Sequence, residues 1–166
     1  MQTNGRHRIS LLVSNKPGVL SRIALVFARR GFNIDSLVAS TTTTDEYSRM
    51  NIEASGDDKT LHLMLAQLNR LVDVIHAVDH IGENIIQREL ALVKVQCPPE
   101  RRTEVLQITD TFRAQTVDIS EETITLQITG NSDKLDAFQT MLEPFQIKEL
   151  VRTGKVLMSR GAESTA

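Results

Sequence analysis

Residues 7–14 alternate between apolar and polar side chains, a two-residue period that predicts a strand. The period then lengthens. Leu20, Ile23, Ala24 and Phe27 recur at i, i+3, i+4 and i+7, which predicts a helix packing one face on a sheet, with Gly31 as its stop. On that stripe Val19 and Val26 lie off the packed face. Residues 32–40 predict a second strand, and the polar run 41–47, Tyr47 included, a turn. Met50, Ile52 and Ala54 alternate as the strand that completes a hairpin. Asp57 or Asp58 then caps a second helix, which carries Leu61, Met64, Leu65, Leu68 and Leu71 on one side. Residues 72–78 return to an extended, β-branched composition. The order so far is βαββαβ.

After the polar segment 80–88, which contains Gly82, the same order begins again. Ala91, Val93, Val95 and Cys97 alternate. Pro98 and Pro99 open a helix bearing Val105, Ile108 and Phe112. Val117 and Ile119 lead through Glu121-Glu122 into the strictly alternating Ile124, Leu126 and Ile128. Asn131 or Ser132 caps a last helix with a stripe of Leu135, Phe138, Met141 and Leu142, which Pro144 ends. Residues 147–151 and 156–158 supply the final strands. A half of this size leaves its edge strands bare, so pairing with a second copy or another chain is expected.

Composition narrows the functions open to such a chain. A formal net charge of −2 and a pI near 6.1 provide no basic field to draw in a phosphate backbone, which argues against nucleic acid as the main partner. One cysteine in 166 residues excludes an intrachain disulfide and suits a reducing compartment. Apolar runs fall well short of the roughly 20 residues of a membrane span. A cytoplasmic protein is expected.

The chemistry concentrates in Asn15-Lys16-Pro17-Gly18-Val19-Leu20-Ser21-Arg22. Here a turn meets a helix N-terminus whose first backbone N–H groups, around 18–20, lack helical partners and sit at the positive end of the dipole. Such a place suits a carboxylate. Gly18 lets a ligand approach the backbone closely, and the Asn15 amide can donate to a carboxylate or accept from an ammonium group. An amino acid fits, although an asparagine in a turn commonly serves only its own backbone. Pro17 removes one N–H donor while stiffening the loop.

These residues resemble the ligand loop of an ACT domain, a βαββαβ module that binds amino acids at a dimer interface. Arg30-Gly31-Phe32-Asn33-Ile34-Asp35-Ser36-Leu37 and Ser48-Arg49-Met50-Asn51-Ile52 are similar to the regulatory small subunit of acetolactate synthase, also called acetohydroxyacid synthase. In the second half the resemblance rests on Arg88-Glu89-Leu90-Ala91-Leu92-Val93-Lys94-Val95, the run from Gly130 to Phe138, Arg152-Thr153-Gly154 and Ser159-Arg160-Gly161. It implies an α+β fold of two tandem ferredoxin-like βαββαβ domains, the first an ACT domain over 4–80. A linker at 81–87, a second domain over 88–161 and a tail at 162–166 complete that division. It further implies a homodimer without catalysis of its own, which activates a catalytic large subunit and confers feedback inhibition by valine. Thiamine diphosphate, Mg and FAD would belong to that large subunit, leaving this chain no cofactor. The valine contacts of the family fall on Asn15, Lys16, Pro17, Gly18, Val19 and Leu20 of the loop, and on Asn33 and Ile34 from the partner protomer.

Other features read as structural. His76 and His80, with Asp73 and Asp79 nearby, have strand spacing that does not impose the geometry a metal demands. His7 and His62 are isolated. Cys97 sits on an apolar strand face, which predicts an inert thiol. Glu121 and Glu122 adjoin in a turn and point apart, a poor acid–base pair. Arg22 lies one turn inside the helix, away from the position an acylphosphatase-like phosphate loop would need. With 4% aromatics the strands lack a face for stacking RNA bases. The remaining alternative, a free-standing amino-acid sensor, would need an output domain for which the chain has no spare segment.

Overall fold

The computed structural model describes residues 4–80 and 85–166. Contacts divide the chain into two units: the residues up to Ile86 together with Gly154–Ala166, and Gln87–Thr153. In the first, β1 (Asn4–Ser14), α1 (Val19–Arg29), β2 (Asn33–Thr41), β3 (Tyr47–Asp57), α2 (Asp58–Leu68) and β4 (Val74–Asp79) form an antiparallel sheet of order β2-β3-β1-β4. The second unit repeats the order with β5 (Ile85–Gln96), α3 (Arg102–Thr111), β6 (Gln115–Ile119), β7 (Thr123–Gly130), α4 (Ser132–Leu142) and β8 (Ile147–Arg152), as β6-β7-β5-β8. The fold is α+β, two βαββαβ units in tandem. A last strand, β9 (Val156–Ser159), pairs with β5 as the fifth strand of the second sheet, while by contacts its residues group with the first unit.

The strand period decides which face is dry. Ile9, Leu11 and Val13 of β1 and Met50, Ile52 and Ala54 of β3 point to one side, where α1 and α2 cover them with Ile23, Phe27, Met64 and Leu68. In the second unit Val93, Val95, Ile124, Leu126 and Ile128 are covered by Val105, Leu135, Phe138 and Leu142. Burying each such side chain is worth about 1.5–3 kcal/mol. Cys97 lies in this second core with its sulfur 4.0 Å from the Pro98 carbonyl, and burial pushes its thiol pKa up.

Several details depart from the periodicity. Val19 and Val26, expected off the packed face of α1, are buried at 2% and 4% exposure, whereas Leu20 is 44% exposed. The helix is apolar on most of its circumference, and the buried stripe is Val19, Ile23, Val26 and Phe27, one step round from the expected one. Neither valine is left facing water. β4 starts at Val74, and Val72 is exposed. Tyr47 opens β3 rather than sitting in a turn. Met141 is half exposed, off the buried stripe of α4. By contacts residues 154–161 group with the first unit, while β9 among them pairs with β5. Most of the expected linker, including Gly82, lies outside the described residues.

Candidate ligand-binding site

The turn from β1 into α1 is held by backbone. Ser14 N–H donates to the Asp73 carbonyl at 2.8 Å, Asn15 N–H to that of Glu46 at 2.8 Å, and Lys16 N–H to that of Ser14 at 3.0 Å. Gly18 is the N-cap of α1 at φ 82°, a left-handed conformation that L side chains enter only with strain. No side chain caps this helix, and its first turn holds no acidic residue. Residues 15–18 are exposed. The positive helix end thus opens to solvent behind a glycine, with Pro17 contributing no donor.

The polar groups of the loop have defined tasks. Asn15 Nδ2 donates to the Asp45 carbonyl at 2.9 Å, so its Oδ1 is the end left to receive an ammonium group. Arg22 reaches back over the loop: its Nη1 lies 3.2 Å from where a Cβ on Gly18 would stand, while Nη2 pairs with Asp73 at 2.7 Å. Sequence reasoning set Arg22 apart from the loop. The i, i+4 spacing from Gly18, which puts both on one helix face, was the signal available.

Asn33 and Ile34 start β2, an edge strand. Asn33 is exposed and its Nδ2 donates to Asp35 Oδ1, while Ile34 packs partly against the core. In register, Asn33 faces Ser55 of β3 and Ser14 faces Tyr47. From Tyr47 to Ser55 is 55 − 47 = 8 residues, roughly 26 Å along a strand at about 3.3 Å each. Within one chain the loop and Asn33 therefore occupy opposite ends of the sheet.

The histidine and aspartate residues near β4 go separate ways. His76 is exposed, Asp73 holds Arg22, and buried His80 places Nε2 3.0 Å from Ser10 Oγ. Asp79 accepts from Arg8 N–H at 3.1 Å, and burial, opposed by that bond and by His7 and His80, holds its carboxyl above the usual range. His7 is buried beside Phe32, with Asp58 3.2 Å from Nε2 and Asp79 4.0 Å from Nδ1. Among the described residues no group of three or more His, Cys, Asp or Glu side chains is placed to hold a metal ion. None of the described helices is long and apolar enough to cross a membrane.

The first unit is an ACT domain: residues 9–76 match the family model described as "AHAS small subunit-like ACT domain", and 88–161 that described as "Small subunit of acetolactate synthase". Over 156 residues the chain is 48% identical to a protein of Archaeoglobus fulgidus named "Probable acetolactate synthase small subunit", covering 94% of this chain and 98% of that one. It is 45% identical over 155 residues to the acetolactate synthase small subunit of Mycobacterium bovis, covering 93% and 92%. The crystal structure of the acetolactate synthase small subunit from Thermotoga maritima superposes with a TM-score of 0.86 at 39% identity, covering 96% of this chain and 99% of that one. The chain belongs to the acetolactate synthase small-subunit family.

Proposed function

We propose that this chain is a non-catalytic regulatory subunit that activates a thiamine-diphosphate-dependent catalytic subunit and transmits feedback inhibition by valine in branched-chain amino-acid biosynthesis. Thiamine diphosphate, Mg and FAD belong, in this reading, to the catalytic subunit, and the complex works in the cytoplasm without nucleic acid or membrane as partner. The valine site is formed by Asn15, Lys16, Pro17, Gly18, Val19 and Leu20 of one protomer with Asn33 and Ile34 of a second copy. The carboxylate meets the helix N-terminus and the ammonium group meets Asn15 Oδ1.

The supporting observation is the separation of the loop and Asn33 by the length of a sheet. Antiparallel two-fold pairing along the bare β2 edge reverses strand direction, so it carries Asn33 and Ile34 of the second copy towards the end of the sheet that bears 15–18. A ligand shared by two protomers responds to their arrangement, and it shifts the complex only as far as it prefers one arrangement over another. Couplings of about 1–3 kcal/mol, roughly 5- to 150-fold, are ordinary.

The test is co-purification with the catalytic subunit, followed by rate assays with and without valine. Stimulation by the wild-type chain, inhibition by valine, and loss of inhibition but not of stimulation in Asn15→Ala or Gly18→Asp are expected. An aspartate at 18 sets a carboxylate against the ligand's own. Calorimetry showing equal affinity for valine, threonine and aspartate, or undiminished inhibition in both variants, would refute the site.

A further inference from the structure

The face of the first sheet turned away from α1 and α2 is polar at alternate positions of β3: Arg49, Asn51 and Glu53 stand opposite the core residues Met50, Ile52 and Ala54. The segment Gly154–Ala166 belongs to this unit and meets this face. Lys155 pairs with Glu53, Arg49 Nη2 donates to the Ala166 backbone oxygen at 3.1 Å, and Leu157 is 3% exposed. A cavity of about 520 Å³ remains between β9, the end of β2 and β3.

Its lining is one-sided in chemistry. Arg49 and Asn51 enter from β3, and the rest of this wall is the hydroxyl-bearing run Ser40, Thr41, Thr42 and Thr43. No carboxylate side chain lines it, and Glu53, next on that face, is neutralised by Lys155. Arg49 Nε is buried with no hydrogen-bond partner, a costly state for a charged donor. Asn51 is only 6% exposed; its Oδ1 accepts from Ser10 Oγ at 2.9 Å, and Ser10 is itself engaged by His80. That fixes the amide and leaves the Nδ2 donor as the end available to the cavity. The opposite wall, Val156, Leu157 and Met158, is apolar.

A guanidinium, an amide donor and hydroxyls on one side and aliphatic surface on the other suit an amphipathic anion. We propose that this cavity is a second ligand site, distinct from the 15–20 loop, which takes a short-chain aliphatic carboxylate. The carboxylate lies against the Arg49 guanidinium and Asn51 Nδ2, and the alkyl group against β9. The site is built from one chain, and it stands whether or not valine binds the loop.

Titration of the full chain with sodium isobutyrate, followed by amide NMR, tests it. Saturable shifts of the Asn51 side-chain amide and of the backbone at 40–43 are expected, and they persist in Gly18→Asp. The neutral isostere isobutyramide and inorganic phosphate, which lacks the alkyl group, each bind at least tenfold more weakly. Arg49→Gln and Asn51→Asp each weaken isobutyrate at least tenfold; should Asn51→Asp fail to fold, Arg49→Gln alone decides. Shifts confined to 15–20, equal binding of isobutyramide, tighter binding of phosphate, or undiminished affinity in Arg49→Gln overturns the proposal.

Discussion

The two units share one strand order yet differ where the first strand hands over to the first helix. In the first unit that place is a four-residue turn ending at left-handed Gly18, and α1 starts uncapped and exposed. In the second it is Cys97-Pro98-Pro99 followed by a short 3-10 turn, Pro99–Arg101, that runs directly into α3. Two prolines there withdraw two N–H donors. Duplicate topology is therefore no guide to duplicate function: one strand-to-helix junction leaves an uncapped helix start behind a left-handed glycine, and the other passes through two prolines and a 3-10 turn.

The sharpest way to break this comparison is to unfold one unit at a time. Phe27→Ala and Phe138→Ala each empty a fully buried aromatic site and should cost about 3–5 kcal/mol, read from denaturant midpoints. Stabilisation by added valine should survive Phe138→Ala and vanish in Phe27→Ala; its loss in both would end the division of labour. A smaller effect separates the helix starts. Gly18→Ala forces an L side chain to positive φ and against Arg22, at about 1–2 kcal/mol. Asn131→Ala deletes the side-chain cap that accepts from Lys134 N–H at 3.1 Å, at about 1 kcal/mol. Neither loss is compensated by a new cap.

The least effect concerns buried carboxylates. Glu89 of the second unit meets the guanidinium of Arg152 and the hydroxyl of Ser132, whereas Asp79 of the first is desolvated by burial, which a backbone N–H, two histidines and the Arg8 charge only partly offset. Because the folded protein holds the Asp79 proton more tightly than the unfolded chain, its contribution is complete below about pH 3.9 and is lost as pH rises through the raised folded value. Asp79→Asn should flatten that decline in stability, measured by urea midpoints from pH 4 to 7. An unchanged slope would assign the pH dependence elsewhere.

Periodicity made the fold legible because each strand and helix buries a single face, as in Ile124, Leu126 and Ile128 or Leu61, Met64 and Leu68. It misplaced the face of α1, where Val19, Leu20, Leu25 and Val26 put apolar side chains nearly all round, so only tertiary packing selects the stripe. The loop 15–20 was legible from Gly18 and the bare helix start. The reach of Arg22 to Asp73 and the assembly of Arg49 and Asn51 with β9 were not, since they join residues 51 and about 100 positions apart through the register of the sheet.

The seclusion of Cys97 has a practical side. Because the one native thiol is sealed in the second core, the wild-type chain is already a blank background for maleimide chemistry. A cysteine introduced at exposed Thr43 or Val117 would take a fluorophore or spin label on a chosen unit, and effector-driven movement of either could be followed without first mutating the parent protein.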